Sequence, residues 1–408
     1  MLRTTFRSLA GYNYRLWAGG AIVSNVGTWM QRTGQDWIVF TELTNNDATA
    51  VGIVMALQFG PSLFLLPFSG FAADHFDRRR LLLVSQSLQG LLALGLGVLV
   101  LTGHAELWHV YAFAFALGCV TAFDAPARQA FVAELVSDKN LSNAVALNST
   151  SFQVARMVGP AIAGLLIAGV GTGWVFVINA ASFAGVLAAL FALRVNELHR
   201  LEPAARKAGG FIEGIRYVRE RSDLMAVLTM VFLIATFCLN FRVFVSSMAV
   251  TVFGTGAGGF GLLSSMLAVG SVSGALGSAS REKPRTTLLL GSALLLAASF
   301  TVAAVMPTYV TFGLALMVLG VCVQTFMTTA NSTIQLGTDP AMRGRVMAIY
   351  LALALGSTPL GAPIVGWVAD VAGPRWALAV GAAAGLGAAL LGVVYRRALG
   401  AEARTHVE

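Results

Sequence analysis

Seven long stretches of this chain contain no Asp, Glu, Lys or Arg: residues 48–73, 81–105, 157–193, 243–280, 286–338, 346–369 and 376–395. A helix needs roughly 20 apolar residues to cross the hydrocarbon core of a bilayer. The runs at 157–193, 243–280 and 286–338 are each long enough for two crossings, or most of two. Backbone polar groups find no water inside lipid, so only helices and closed barrels span it. These runs are continuous rather than alternating, which selects helices. Charged residues make up 11% of the 408 and hydrophobic residues 57%, whereas soluble domains carry about 25% charged residues. A water-soluble globule, a disordered chain and a fibrous chain are thereby excluded.

The expected spans are 16–40, 51–72, 81–102, 107–125, 144–168 and 173–193, then 225–247, 258–279, 287–305, 308–329, 346–368 and 376–395. The fold class predicted is therefore an all-α membrane protein, with twelve transmembrane helices arranged as two parallel six-helix repeats. Its divisions are an N-terminal six-helix bundle (1–193), a linker (194–224), a C-terminal six-helix bundle (225–395) and a tail (396–408). With the N-terminus placed inside, all but four of the 27 basic residues fall in inside segments. The exceptions are Arg32, Arg156 and Arg242 within spans, and Arg375 outside. Basic residues are retained on the cytoplasmic side, so both termini are expected there. The net charge of +8 reflects this bias and contact with anionic lipid heads rather than nucleic acid. In the linker, Phe211, Ile215 and Val218 repeat at helical spacing. They suit either an amphipathic helix on the inner leaflet or a solvated linker helix.

The halves resemble each other. At an offset of 202, Gly118, Ala146, Gly159, Gly164, Gly171 and Trp174 match Gly320, Ala348, Gly361, Gly366, Gly373 and Trp376. At an offset of 207, Arg78 and the run Leu81-Leu82-Leu83 match Arg285 and Leu288-Leu289-Leu290. A six-span unit duplicated in the same orientation is a known transporter architecture, with its substrate site near the midplane.

Three segments carry motifs. The loop after the second span holds Gly70, Asp74, Arg78 and Arg79 at the spacing G-x-x-x-D-x-x-x-R-R, with His75 and Asp77 between. The fifth span reads Ala155-Arg156-Met157-Val158-Gly159-Pro160, followed by Ala163-Gly164. A third set comprises Asn25 to Trp37, Asp124-Ala125-Pro126-Ala127-Arg128 and Arg343-Gly344-Arg345. The first segment resembles the signature of the major facilitator superfamily, and the second is similar to its antiporter motif. The third set is similar to bacterial facilitators of the enterobactin-exporter and macrolide-efflux type. Asp77 replaces the signature's turn glycine, and Asp tolerates a left-handed turn. The resemblance implies a cytoplasmic gate at Gly70, Asp74, Arg78 and Arg79, with Asp74 at the N-terminal end of the eleventh span. That helix end favours an anion. It also implies an export-linked helix contact at Gly159, Pro160 and Gly164. In the second copy Arg281 stands where the aspartate would, so one strong latch is expected.

Ionisable groups inside spans are costly and mark function. Asn25, Thr28, Arg32 and Asp36 form one stripe on the first helix, and Arg242 is the repeat partner of Arg32 at an offset of 210. The candidate substrate cavity comprises Asn25, Arg32, Gln35, Gln58, Arg156, Asn240, Arg242 and Gln324. Arginine is a permanently charged, bidentate donor, so anionic or acceptor-rich substrates are expected: siderophore-like compounds or drugs. The competing reading has these arginines capping carbonyls or snorkelling. Asp36, and after it Asp124, are the candidates for proton coupling. Burial raises a carboxyl pKa and a nearby Arg lowers it; Asp36 could instead merely neutralise Arg32.

No phosphate-binding Gly-x-x-x-x-Gly-Lys-[Ser/Thr] segment is present. No cofactor is expected, and the energy source is expected to be the proton gradient. Cys119, Cys238 and Cys322 are far apart and the five His are scattered, so neither a metal nor a disulfide framework is expected. No nucleophile–base constellation marks an enzyme. The expected partners are a small-molecule substrate, protons and the lipid bilayer, with the chain acting as a monomer. The expected activity is export by proton antiport and alternating access. The alternatives are a proton-coupled uptake permease, or a non-transporting sensor or assembly partner on the same fold.

Overall fold

The computed structural model describes residues 6–199, 210–279, 286–340 and 342–405. All its regular structure is helical. In chain order the helices are α1 (Tyr12–Trp37), α2 (Ala48–His75), α3 (Arg78–Leu101), α4 (Leu107–Glu134), α5 (Asp138–Val170) and α6 (Thr172–Ala192). Next come α7 (Gly210–Glu220), α8 (Ser222–Phe237), α9 (Phe241–Ser247), α10 (Ala257–Ala279) and α11 (Thr286–Val305). The chain closes with α12 (Tyr309–Gly337), α13 (Arg343–Gly356), α14 (Thr358–Ala372) and α15 (Pro374–Thr405). Among the described residues, eleven helical segments are long and apolar enough to cross a membrane, with α8–α9 and α13–α14 each serving as one. The first span, α1, is as long as the others but fails on hydropathy. Its polar stripe is the reason: Gln31, Gln35 and Asp36 are all buried.

The duplication is visible in element boundaries. Helices α4 and α12 start 202 residues apart, and so do α6 and α15. Gly171 and Gly373 precede α6 and α15 with φ of 91° and 101°, a region in which a side chain is strained. The matched glycines thus serve one turn used twice. Helix α1 continues into a π-helical turn, Ile38–Leu43, and α9 into another, Met248–Val252, 210 residues later. This fixes Arg242 as the structural counterpart of Arg32.

The chain forms two compact units. The first contains Met1–Asn46, Leu57–Ala205 and Thr255–Ser265. Its core is built where Trp17 meets Phe131 edge-on at 5.3 Å. The Tyr14 hydroxyl donates to the Ala144 carbonyl at 2.8 Å. The Asn13 amide brackets Arg194, donating to its carbonyl at 3.0 Å and accepting from its N–H at 2.9 Å.

The second unit contains Asp47–Ala56, Arg206–Gly254 and Met266–Glu408. Two of its spans are interrupted. The seventh, expected as one helix over 225–247, breaks at Cys238–Asn240, where Asn240 (φ −85°, ψ 42°) leaves helical geometry. The eleventh breaks at Ser357, whose hydroxyl bonds back to the Leu353 carbonyl. Neither freed backbone end faces lipid unsatisfied: Asn240 Nδ2 donates to Thr236 O at 2.6 Å, as a broken span requires. The linker helix α7 lies against α13 rather than standing free. Glu213 pairs with Arg345 at 3.0 Å, and the Tyr217 hydroxyl donates to Asp339 at 2.9 Å. Val218 is buried while Ile215 is exposed, so part of its apolar stripe packs on protein.

Candidate functional site

The polar stripe of α1 organises a cluster in the first unit. Trp29 is its centre. The Arg32 guanidinium lies 5.0 Å from the Trp29 ring centroid and 5.8 Å from Phe59. Arg156, arriving on α5, lies 5.8 Å from the same indole. Two cations sharing one indole repel each other, yet each is attracted by the negative ring face, an attraction worth about 2 kcal/mol or more when desolvated. Phe152 packs edge-on to Trp29 at 5.7 Å. Among the described residues, no hydrogen-bond acceptor or carboxylate engages Arg156. A guanidinium with five donors and only an aromatic face beside it is suited to an incoming anion or oxygen acceptor.

Deeper along α1, Gln58 Nε2 donates to Gln35 Oε1 at 2.7 Å. Asp36 beside them is fully buried. Gln31 accepts from Asn179 Nδ2 on α6, whose carbonyl and side chain also receive Ser182 Oγ. Asn25 is half-buried on the same helix.

The fifth-span motif explains how Arg156 is placed. A Cβ on Gly159 would stand 2.6 Å from Trp29 Cβ, so only glycine lets α5 close on α1 at the indole. One turn on, a Cβ on Gly164 would stand 2.6 Å from the Ala257 carbonyl at the start of α10. Pro160, inside α5, lacks an N–H and loosens the ladder between the two contacts.

Asp124 sits elsewhere. It accepts from Ser85 Oγ and Gln86 Nε2, both at 2.6 Å, and from Arg128 Nε at 3.2 Å. Three donors, one of them a cation, hold this side chain in place. In the gate motif, Arg78 is buried, pairs with Glu134 and donates to Ala73 O at 3.0 Å. Arg79 donates to Leu190 O at 2.8 Å. Gly70 is half-buried on α2; the Asp74 side chain and Arg281 lie outside the described residues. Asp77 corrects the sequence expectation of a left-handed turn: its φ is −59°, and its carboxylate accepts from Arg80 N–H at 2.8 Å as the N-cap of α3. An aspartate here replaces glycine by capping, not by adopting glycine's backbone. Glu134, the partner of Arg78, carries no sequence signal beyond being an acid at a span's inner end.

In the second unit Asn240 occupies the break of the seventh span, fully buried. Arg242 is half-buried two residues on. Gln324 Nε2 donates to Thr328 Oγ1 at 3.2 Å. The structure thus brings Arg32, Arg156, Gln35 and Gln58 into one cluster around α1, and leaves Asp124 apart from it.

The transmembrane secretion effector model matches residues 4–405. The chain belongs to that family, within the major facilitator superfamily. It is similar to the staphyloferrin A transporter of Staphylococcus aureus, 32% identical over 144 residues, covering 35% of this chain and 36% of that protein. It is also similar to the multidrug efflux pump Tap of Mycolicibacterium fortuitum, 27% identical over 369 residues, covering 86% of this chain and 88% of the pump. Among solved structures, an inward-facing bacterial homologue of the human lysosomal transporter Spinster superposes with a TM-score of 0.70 at 14% identity. That match covers 94% of this chain and 95% of the other. Twelve spans in two repeats are therefore a major facilitator fold, and the protein is a multi-pass membrane transporter rather than an enzyme.

Proposed function

We propose that this transporter exports small molecules bearing anionic or acceptor-rich groups, exchanging them for protons by alternating access in a bacterial inner membrane. The observation that carries the reading is the Arg156 guanidinium, set against Trp29 with no acid engaging it among the described residues. A permanent charge inside a span costs several kcal/mol unless something answers it, and a substrate anion answers it during the cycle. Two relatives lend support: one is named a staphyloferrin A transporter and the other a multidrug efflux pump. The basic-residue bias supports cytoplasmic termini, and with them an outer face that carries residues 44–48 and 370–374. Asp36, buried beside the Gln35–Gln58 pair, is the proposed proton carrier, with Asp124 second. The protein acts as a monomer.

The test is proteoliposome flux with siderophores, macrolides and cationic dyes, with and without a pH gradient. Acid-driven export of anionic compounds is expected, together with loss of uphill pumping in Asp36→Asn and weakened substrate affinity in Arg156→Ala. Wild-type rate, affinity and selectivity in Arg156→Ala would remove the cavity assignment. Uphill pumping coupled to protons in Asp36→Asn would remove that carrier. Uptake driven by an inward proton gradient would reverse the direction.

A further inference from the structure

The first turn of α2 is held by a carboxylate from the far end of the chain. Asp370, near the C-terminus of α14, accepts from Ala48 N–H at 2.7 Å through one oxygen. Its other oxygen accepts from Thr49 N–H at 2.8 Å and Thr49 Oγ1 at 2.5 Å. The amides at a helix start have no partner within the helix, and the dipole favours an anion there. Yet α2 already owns a cap, since Asp47 accepts from Ala50 N–H at 2.9 Å. The second carboxylate exceeds what the helix needs to form. It ties the turn to α14 instead.

The packing below the tie agrees. A Cβ on Gly366 would stand 2.5 Å from the Ala48 carbonyl, and one on Gly52 would stand 2.6 Å from the Ala362 carbonyl carbon. Backbone therefore closes on backbone along this seam. From Leu57 onward the same unbroken helix α2 belongs to the first unit. The repeat counterpart lacks the device: 202 residues before Asp370 stands Ala168. There α10 meets α5 through close glycine packing, Gly261 over Pro160 and Gly164 over Ala257. That carboxylate is present in one repeat and not in the other.

We propose that Asp370 is an outer latch of the transport cycle, holding the first turn of α2 on α14 while the outer side is shut and releasing it when that side opens. The inference rests on the orientation given above, which places this turn on the outer face. The groups that act on Asp47 are the Ala50 and Thr49 amides and the Asp370 carboxylate. Burial, and then that neighbouring carboxylate, push the Asp47 carboxyl above its ordinary range. The latched form therefore binds a proton more tightly than a released form in which Asp47 stands free. Latching is favoured as external pH falls towards the carboxylate range and weakens as pH rises through the raised Asp47 value.

The labelling test reads access rather than flux, so it stands even if no substrate is found; a cross-linking test then reads flux. Val51, one position before Gly52, is fully buried. In a Val51→Cys protein, a membrane-impermeant thiol reagent added outside is expected to react slowly. Adding Asp370→Ala should raise that rate about tenfold, the equivalent of about 1.4 kcal/mol. Asp370→Asn, which keeps one acceptor, should raise it less and flatten its pH dependence. A Thr49→Cys, Asp370→Cys pair should lose transport on oxidation and regain it on reduction. Unchanged Val51→Cys labelling in a monodisperse Asp370→Ala protein, or full flux through the oxidised pair, would overturn the latch.

Discussion

Removing the carboxylate from Glu134 tests how the gate motif is anchored. Arg78 and Glu134 are each about nine-tenths buried, at 9% and 11% side-chain exposure. Breaking a buried pair from one side costs about 3–5 kcal/mol, because a charge is left uncompensated. In Glu134→Ala the Arg78 guanidinium retains its bond to Ala73 O, so the lower end applies, about 3 kcal/mol. Arg78→Ala also forfeits that charged bond, adding about 1.5 kcal/mol. The double variant leaves no orphan charge, so its cost should fall short of the sum by about 2 kcal/mol or more. Unfolding free energies of the four proteins, measured in one detergent or bicelle condition, complete the cycle. Costs that add to within about 0.5 kcal/mol would show the pair uncoupled and refute the reasoning.

Three further outcomes follow from the geometry. Gly164→Val should obstruct the seating of α10 on α5, where even a Cβ would stand 2.6 Å from the Ala257 carbonyl. A loss of about 1–3 kcal/mol in stability and reduced flux are expected, and a thermal melt with parallel transport would register both. Asp124→Asn should keep its Ser85 and Gln86 contacts but lose the Arg128 pair. Transport should become less pH-dependent only if this carboxylate carries protons, and an unaltered pH profile would remove it as second carrier. Cys238, fully buried with its thiol donating to Gly381 O at 3.3 Å, should resist maleimide in the folded protein and react only after denaturation, as mass spectrometry would show.

The spans and their duplication were legible because charge-free runs and matched glycines report directly on burial and turns. The Gly171 and Gly373 turns and the paired π-helical ends bear the repeat out in detail. The break in the seventh span was not legible: Cys238, Leu239 and Asn240 include neither Gly nor Pro, and the kink depends on Asn240 satisfying a carbonyl. The eleventh span did carry a signal, since Pro359 lies in the first turn of α14. Within the cluster, the α1 stripe pointed to Arg32, and Gln35, Gln58 and Arg156 were named as cavity residues, but their meeting depends on helix packing that no spacing encodes. Glu134 and Asp370 went unnoticed for the same reason. Each is an ordinary acid near a helix end until its distant partner is known, 56 residues away for one and more than 320 for the other.

That sequence separation bears on how the protein is made. The opening residues of α2 leave the ribosome more than 320 residues ahead of the aspartate that receives them. Until α14 inserts, those amides can be answered only by Asp47, by water or by lipid headgroups. An N-terminal fragment ending before α14 would thus hold a second helix whose first turn is capped by Asp47 alone, and co-expression with the missing C-terminal portion should restore the tie.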